Sequence, residues 1–123
     1  MPSYSNAVPP LSLSMGDIGF SFNNEAFPAD GTAGSQFALP EYGGFPDQGR
    51  AVRWQTLFGT NPTAVNITLE GAMADVEAEY KVIDTSTVVG GEARTVANVR
   101  ARFLRIKKVT STGGSGLTAK ILA

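Results

Sequence analysis

The chain contains neither histidine nor cysteine. Without imidazole it lacks the side chain that most often serves as a general base near neutral pH. Without a thiol it has no thiolate nucleophile, no disulfide and none of the cysteine ligands of zinc or iron–sulfur sites. These absences predict a protein that is not an enzyme and that holds no metal or cofactor. The redox compartment stays unread, because a fold built without cysteine suits any setting.

Long apolar runs are missing too. Nowhere do about eighteen apolar residues follow one another, so no membrane-spanning helix is expected. The opening MPSYSNAVPPLSLSMGD has neither the basic start nor the unbroken apolar core of a secretory signal. A soluble protein that is not secreted by a signal peptide is the expectation.

What is present divides near Arg50. Residues 1–49 form one compositional region and residues 50–123 another. Six of the seven prolines and seven of the eleven aromatic residues lie in the first fifty positions. Segments such as ALPEYGGFPDQG discourage helix and central strand, yet a disordered tail is normally poor in aromatic residues. The N-terminal region therefore reads as an ordered arm or set of loops. Its rings, Tyr4, Phe20, Phe22, Phe27, Phe37, Tyr42 and Phe45, would pack either on the chain's own core or on a partner, and aromatic anchors serve both uses.

Charge is divided in the same way. The formal net charge is −1, but residues 1–50 hold five acids against one base and residues 51–123 hold nine bases against six acids. The two halves have opposite signs and can attract each other within one chain or between copies.

From Arg50 onward a period of two dominates, as expected for half-buried antiparallel strands. Val52, Trp54 and Thr56 share one parity, as do Val65, Ile67 and Leu69, and then Ala78, Tyr80 and Val82 with Ile83 out of step. ARFLRIKKV is apolar on both parities and suits a central strand. LTAKILA closes the chain. Turn signals lie at Gly59 with Asn61 and Pro62, at Gly71, at Gly90 with Gly91, and at Gly113, Gly114 and Gly116. The predicted fold is all-β, a small antiparallel sandwich or barrel. Trp54, Val65, Ile67, Leu69, Tyr80, Val82, Leu104 and Ile106 are its expected core.

Few residue groups suggest a site. TGGSGLTAK lacks the order of a phosphate-binding loop and reads as a hairpin turn. Asp75, Glu77 and Glu79 would project from one face of a strand, where they read as charges that discourage edge pairing. Arg100, Arg102, Arg105, Lys107 and Lys108 form a basic row able to face phosphates or an acidic partner. With a pI near 5.3 and no exposed aromatic residues clearly interleaved for stacking, the row is expected to be a solvated strand face or to meet a complementary acidic partner rather than nucleic acid.

The run LEGAMADVEAEYKVIDTS followed by GGEARTVANVRARFLRIKKVTSTGGSGLTAKILA resembles a small β-sandwich module that recurs in structural proteins of tailed bacteriophages. The elements that carry it are Ala101-Arg102-Phe103-Leu104-Arg105, the hairpin Thr110 to Gly114 and the strand Thr118 to Ile121. The resemblance covers about half of the chain. It implies a virion component without catalysis, most like a capsid decoration (cement) protein that bridges capsomers, assembled in the host cytoplasm. Its implied partners are the major capsid protein and copies of itself, with a trimer favoured. A head–tail connector or tail component, or a carbohydrate-binding module of a fibre, are the alternatives.

Overall fold

The computed structural model describes residues 18–39 and 50–123. These build nine strands: β1 (Ile18–Glu25), β2 (Thr32–Ala33), β3 (Phe37–Ala38), β4 (Arg50–Leu57), β5 (Ala64–Ala72), β6 (Lys81–Ser86), β7 (Ala93–Val99), β8 (Phe103–Thr112) and β9 (Leu117–Leu122). Every pairing is antiparallel. One sheet has the order β1-β9-β4-β7; the other runs β2-β8-β5-β6, with β3 also paired to β8. The sheets face each other as a sandwich and do not close into a barrel.

Alternation explains the core. β4 buries Val52, Trp54 and Thr56, β5 buries Val65, Ile67 and Leu69, and β9 buries Leu117, Ala119 and Ile121. With Leu104 and Ile106 from the central strand β8 they form one apolar cluster between the sheets. At roughly 25 cal/mol per Å² of apolar surface removed from water, this cluster is the main stabilising contribution.

Irregularities in the ladders account for most departures from simple parity. In β6 the register pairs Leu69 with Asp84 and Glu70 with Val82, which leaves Ile83 as an extra residue. A bulge of this kind reverses parity along the strand. Val82, expected in the core, is therefore 59% exposed, while Ile83 packs against the cluster in its place. Gly71, expected at a turn, lies inside β5, where a Cβ would come within 2.6 Å of Ile83 Cδ1. Residues 75–79 are not a strand but a bend leading into a single 3-10 turn, Glu77–Glu79, so strand parity does not align their three carboxylates.

The sandwich begins before Arg50. β1 is an edge strand of the first sheet, β2 and β3 pair with β8 in the second, and Phe22 is 2% exposed inside the core. A register shift between Phe20 and Phe22 turns both Ser21 and Phe22 inward. Ser21 Oγ accepts a hydrogen bond from the Ile106 amide at 2.8 Å and donates one to the Ile106 carbonyl at 3.2 Å, joining the two sheets at this side. Residues 18–39 are thus part of the folded body, and a boundary at Arg50 does not separate an independent arm from it.

Candidate functional site

The two groups of residues singled out from sequence have different fates. Of the rings, Phe22 is core and closed to any partner. Phe27 and Phe37 are half-buried; Phe27 meets Phe58 edge-on at 6.0 Å, and Phe37 lies against Gly19. Phe20 is 43% exposed, with Lys120 Nζ 5.7 Å from its ring centre. Tyr4, Tyr42 and Phe45 lie outside the described residues.

The basic row does not form one face. Strand parity sends Leu104, Ile106 and Lys108 to the interior and Arg105 and Lys107 to the outside of the sheet. Lys108 runs along the core edge until its ammonium reaches the Pro28 carbonyl and Asp30 Oδ1, both at 2.6 Å, above the Phe27 ring. The Lys108 hydrogen bond holds the Asp30 carboxyl below its ordinary range.

Arg105 is equally enclosed. Its Nε donates to Glu70 Oε1 at 2.8 Å, its two terminal nitrogens grip Glu77 at 2.9 and 2.7 Å, and the Tyr80 ring lies 3.8 Å from Cζ. Glu77 is held below its usual value, chiefly by that hydrogen bond. Burial pushes the Tyr80 phenol up to about 12, helped by its hydrogen bond to Asp75. Arg105 and Lys108 are therefore internal ties, and only Arg100 and Arg102 of the row are well exposed. The inward direction of Lys108 was readable from parity; the Glu70–Arg105 pair needed the β5–β8 register.

Polar closure recurs where β6 and β7 approach. Trp54 Nε1 donates to Asp84 Oδ2 at 3.0 Å and Arg94 Nε donates to the same oxygen at 2.7 Å. Ser86 Oγ donates to Glu92 Oε2 at 2.6 Å. Burial raises the Asp84 carboxyl, but the donors from Arg94 and Trp54 outweigh it and the net shift is downward.

Two surfaces stand out among the described residues. On the outside of the four-stranded sheet, Ile18 stands beside Leu122 and Phe20 beside Lys120, with Leu57 further along the same face. Ile18 and Leu57 are about half exposed or more, and this is the main apolar exposure on a regular sheet face. On the edge, a groove of about 430 Å³ lies between β6 and β7, floored by Ile83, Val96, Val99 and Ala101 and rimmed by Glu79, Lys81 and Arg100. Among the described residues no three metal-ligating side chains gather, and no helix is long and apolar enough to cross a membrane.

No protein-family model and no curated protein matches the chain. The fold matches SPBc2 prophage-derived protein YomS. Its crystal structure superposes with a TM-score of 0.53 over 89% of this chain and 96% of that one, at 9% sequence identity. At that identity the likeness is one of fold.

Proposed function

We propose that this chain is a non-enzymatic structural protein of a bacteriophage particle, a capsid decoration protein that binds the outside of the head and stabilises it by bridging capsomers. The observation that carries the reading is the near end-to-end match of the sandwich to a prophage-derived protein of the same size range. The interior supports it. Its buried charged groups, Arg105, Glu70 and Lys108, are paired with one another or with the surface acids Glu77 and Asp30, so they act as structural ties rather than as waiting catalytic groups.

The major capsid protein is the proposed partner, and copies of this chain are a second, with a trimer favoured. Attachment falls to exposed apolar surface, since ring burial at a joint supplies adhesion and many copies on one shell add avidity. Phe20, Ile18 and Leu122 offer such a surface. A sugar-binding role is disfavoured because Trp54, the only tryptophan, is 1% exposed and bonded to Asp84.

Quantitative mass spectrometry of purified particles tests the proposal. Many copies per particle, stripped together from the head, are expected. A few copies travelling with tails would replace decoration by a connector or tail role, and absence from particles would overturn the virion reading.

A further inference from the structure

The groove at the β6–β7 edge has the features of a site for an added strand. β7 is the last strand of its sheet and β6 the last of the other among the described residues, so both present an outer backbone edge beside the groove. Such an edge is a template for another strand, with main-chain hydrogen bonds supplying affinity and pockets for alternate side chains supplying selectivity. The floor is apolar, through Ile83, Val96, Val99 and Ala101, and the rim carries two cations, Lys81 and Arg100, against one acid, Glu79. The exposed positions of β7, Ala93, Thr95, Ala97 and Asn98, bear uncharged side chains, and its one cation, Arg94, is tied to Asp84; the ladder is irregular only near Asn98, at the end of the strand.

The chain carries a segment of matching pattern. Leu11-Ser12-Leu13-Ser14-Met15 alternates apolar and polar residues with the period of a strand, and Asp17 follows two residues later. Laid along the edge, Leu11, Leu13 and Met15 would face the apolar floor, and the Asp17 carboxylate would fall on the same side, where Lys81 and Arg100 outnumber Glu79. The other segment outside the described residues, 40–49, has two prolines, three glycines and no such alternation.

Geometry decides which copy supplies it. Residue 18 begins β1, and the order β1-β9-β4-β7 puts that strand at the opposite edge. At about 4.8 Å per strand, a strand added beyond β7 lies roughly 19 Å from β1. Met15, three residues before Ile18, reaches at most about 11 Å from it. The chain's own Leu11–Met15 segment cannot lie along its own groove while β1 stays paired. We infer that residues 11–15 of one copy add as a strand to the β6–β7 groove of a second copy, making a head-to-tail contact between identical chains. Repeated with a closing rotation, such a contact produces a ring. The inference stands apart from the virion reading, since it concerns only self-association.

Because the natural chain has no cysteine, single cysteines report the contact cleanly. Full-length Ser14→Cys, on the outward parity of the added segment, and full-length Ala97→Cys, on the outward parity of β7, are mixed and oxidised, and the products are separated by mass. A disulfide joining the two different chains is expected as the dominant product, together with concentration-dependent association by light scattering that Leu11→Asp/Leu13→Asp abolishes without changing the thermal melt. In a chain carrying both cysteines, a disulfide formed only within the monomer would overturn the exchange between copies. A monomer at all concentrations with no mixed disulfide would overturn it as well.

Discussion

Trp54 and Asp84 join the two sheets: the indole of a β4 core residue donates to the carboxylate of an edge residue on β6, which Arg94 of β7 also holds. The bulge at Ile83 makes this possible, because it turns Asp84 inward opposite Leu69. Together with the Ser21–Ile106 bonds at the other side, it pins the sandwich at both edges.

Trp54→Phe keeps most of the ring's apolar contact and removes only the donor. The expected cost is about 1–3 kcal/mol, the range for losing a buried hydrogen bond to a charged group. Urea unfolding measures it, and a loss below about 0.5 kcal/mol would mean that the indole bond contributes little to the join.

Acid should weaken the fold through the same groups. Asp30, Glu77 and Asp84 all have carboxyls lowered in the folded state. A depressed folded pKa gives stability that is fully present above the unfolded value, near 4, and is lost as pH falls through the folded one. The urea midpoint should therefore be level from neutrality down to about pH 5 and fall below about pH 4. Asp84→Asn should flatten part of that fall; an unchanged acid limb in this variant would exclude Asp84 as a contributor.

The Arg105 tie predicts a sharp asymmetry. Arg105→Ala leaves the Glu70 carboxylate, 8% exposed, without its cation. A loss of about 3–5 kcal/mol is expected, as for one partner removed from a buried pair. The double variant Arg105→Met/Glu70→Leu should recover much of it, since an apolar pair of similar volume avoids the unpaired charge. Chemical denaturation of the three proteins checks the order, and a double variant less stable than Arg105→Ala would refute it.

Two glycines separate backbone strain from collision. Gly91 has φ +82° and a Cβ there would run into the Thr56 carbonyl, whereas Gly113 has φ +70° with open space around it. Gly113→Ala should cost about 1–2 kcal/mol, the left-handed penalty alone. Gly91→Ala should cost clearly more, because the Glu92–Thr56 backbone bond beside it must shift. Thermal melts giving equal losses would contradict the collision.

Much of the fold was legible because parity is a local property. Trp54, Val65, Ile67, Leu69, Leu104 and Ile106 alternate along unbroken stretches and are buried as expected. Tyr80 is buried too, but against Arg105 outside the main cluster. Val82 failed because a bulge is set by pairing with a neighbouring strand, which the local pattern does not carry. The same reason hid the role of residues 18–39: β1 has only a short alternation of its own, and its place depends on β9 and on Ser21 meeting Ile106. The candidate site was less legible. A row of bases in sequence becomes two faces on a strand, and Arg105 and Lys108 found acids 28 to 78 residues away.

The placement of β1 limits which N-terminal truncations leave the sandwich whole. Removing residues 1–30 would take out β1 and the Phe22 core position, so loss of binding in that variant would merely report loss of the fold. Removal of residues 1–17 leaves every described strand intact.

The most direct test of the proposed role is attachment itself. The purified full-length chain is mixed with capsids lacking it, the shells are pelleted, and bound protein is measured against concentration for the natural chain and for Phe20→Asp/Leu122→Asp. The account predicts saturable binding of the natural chain at many copies per shell and loss of binding in the variant with its melt preserved. A natural chain that stays in the supernatant at every concentration would contradict it.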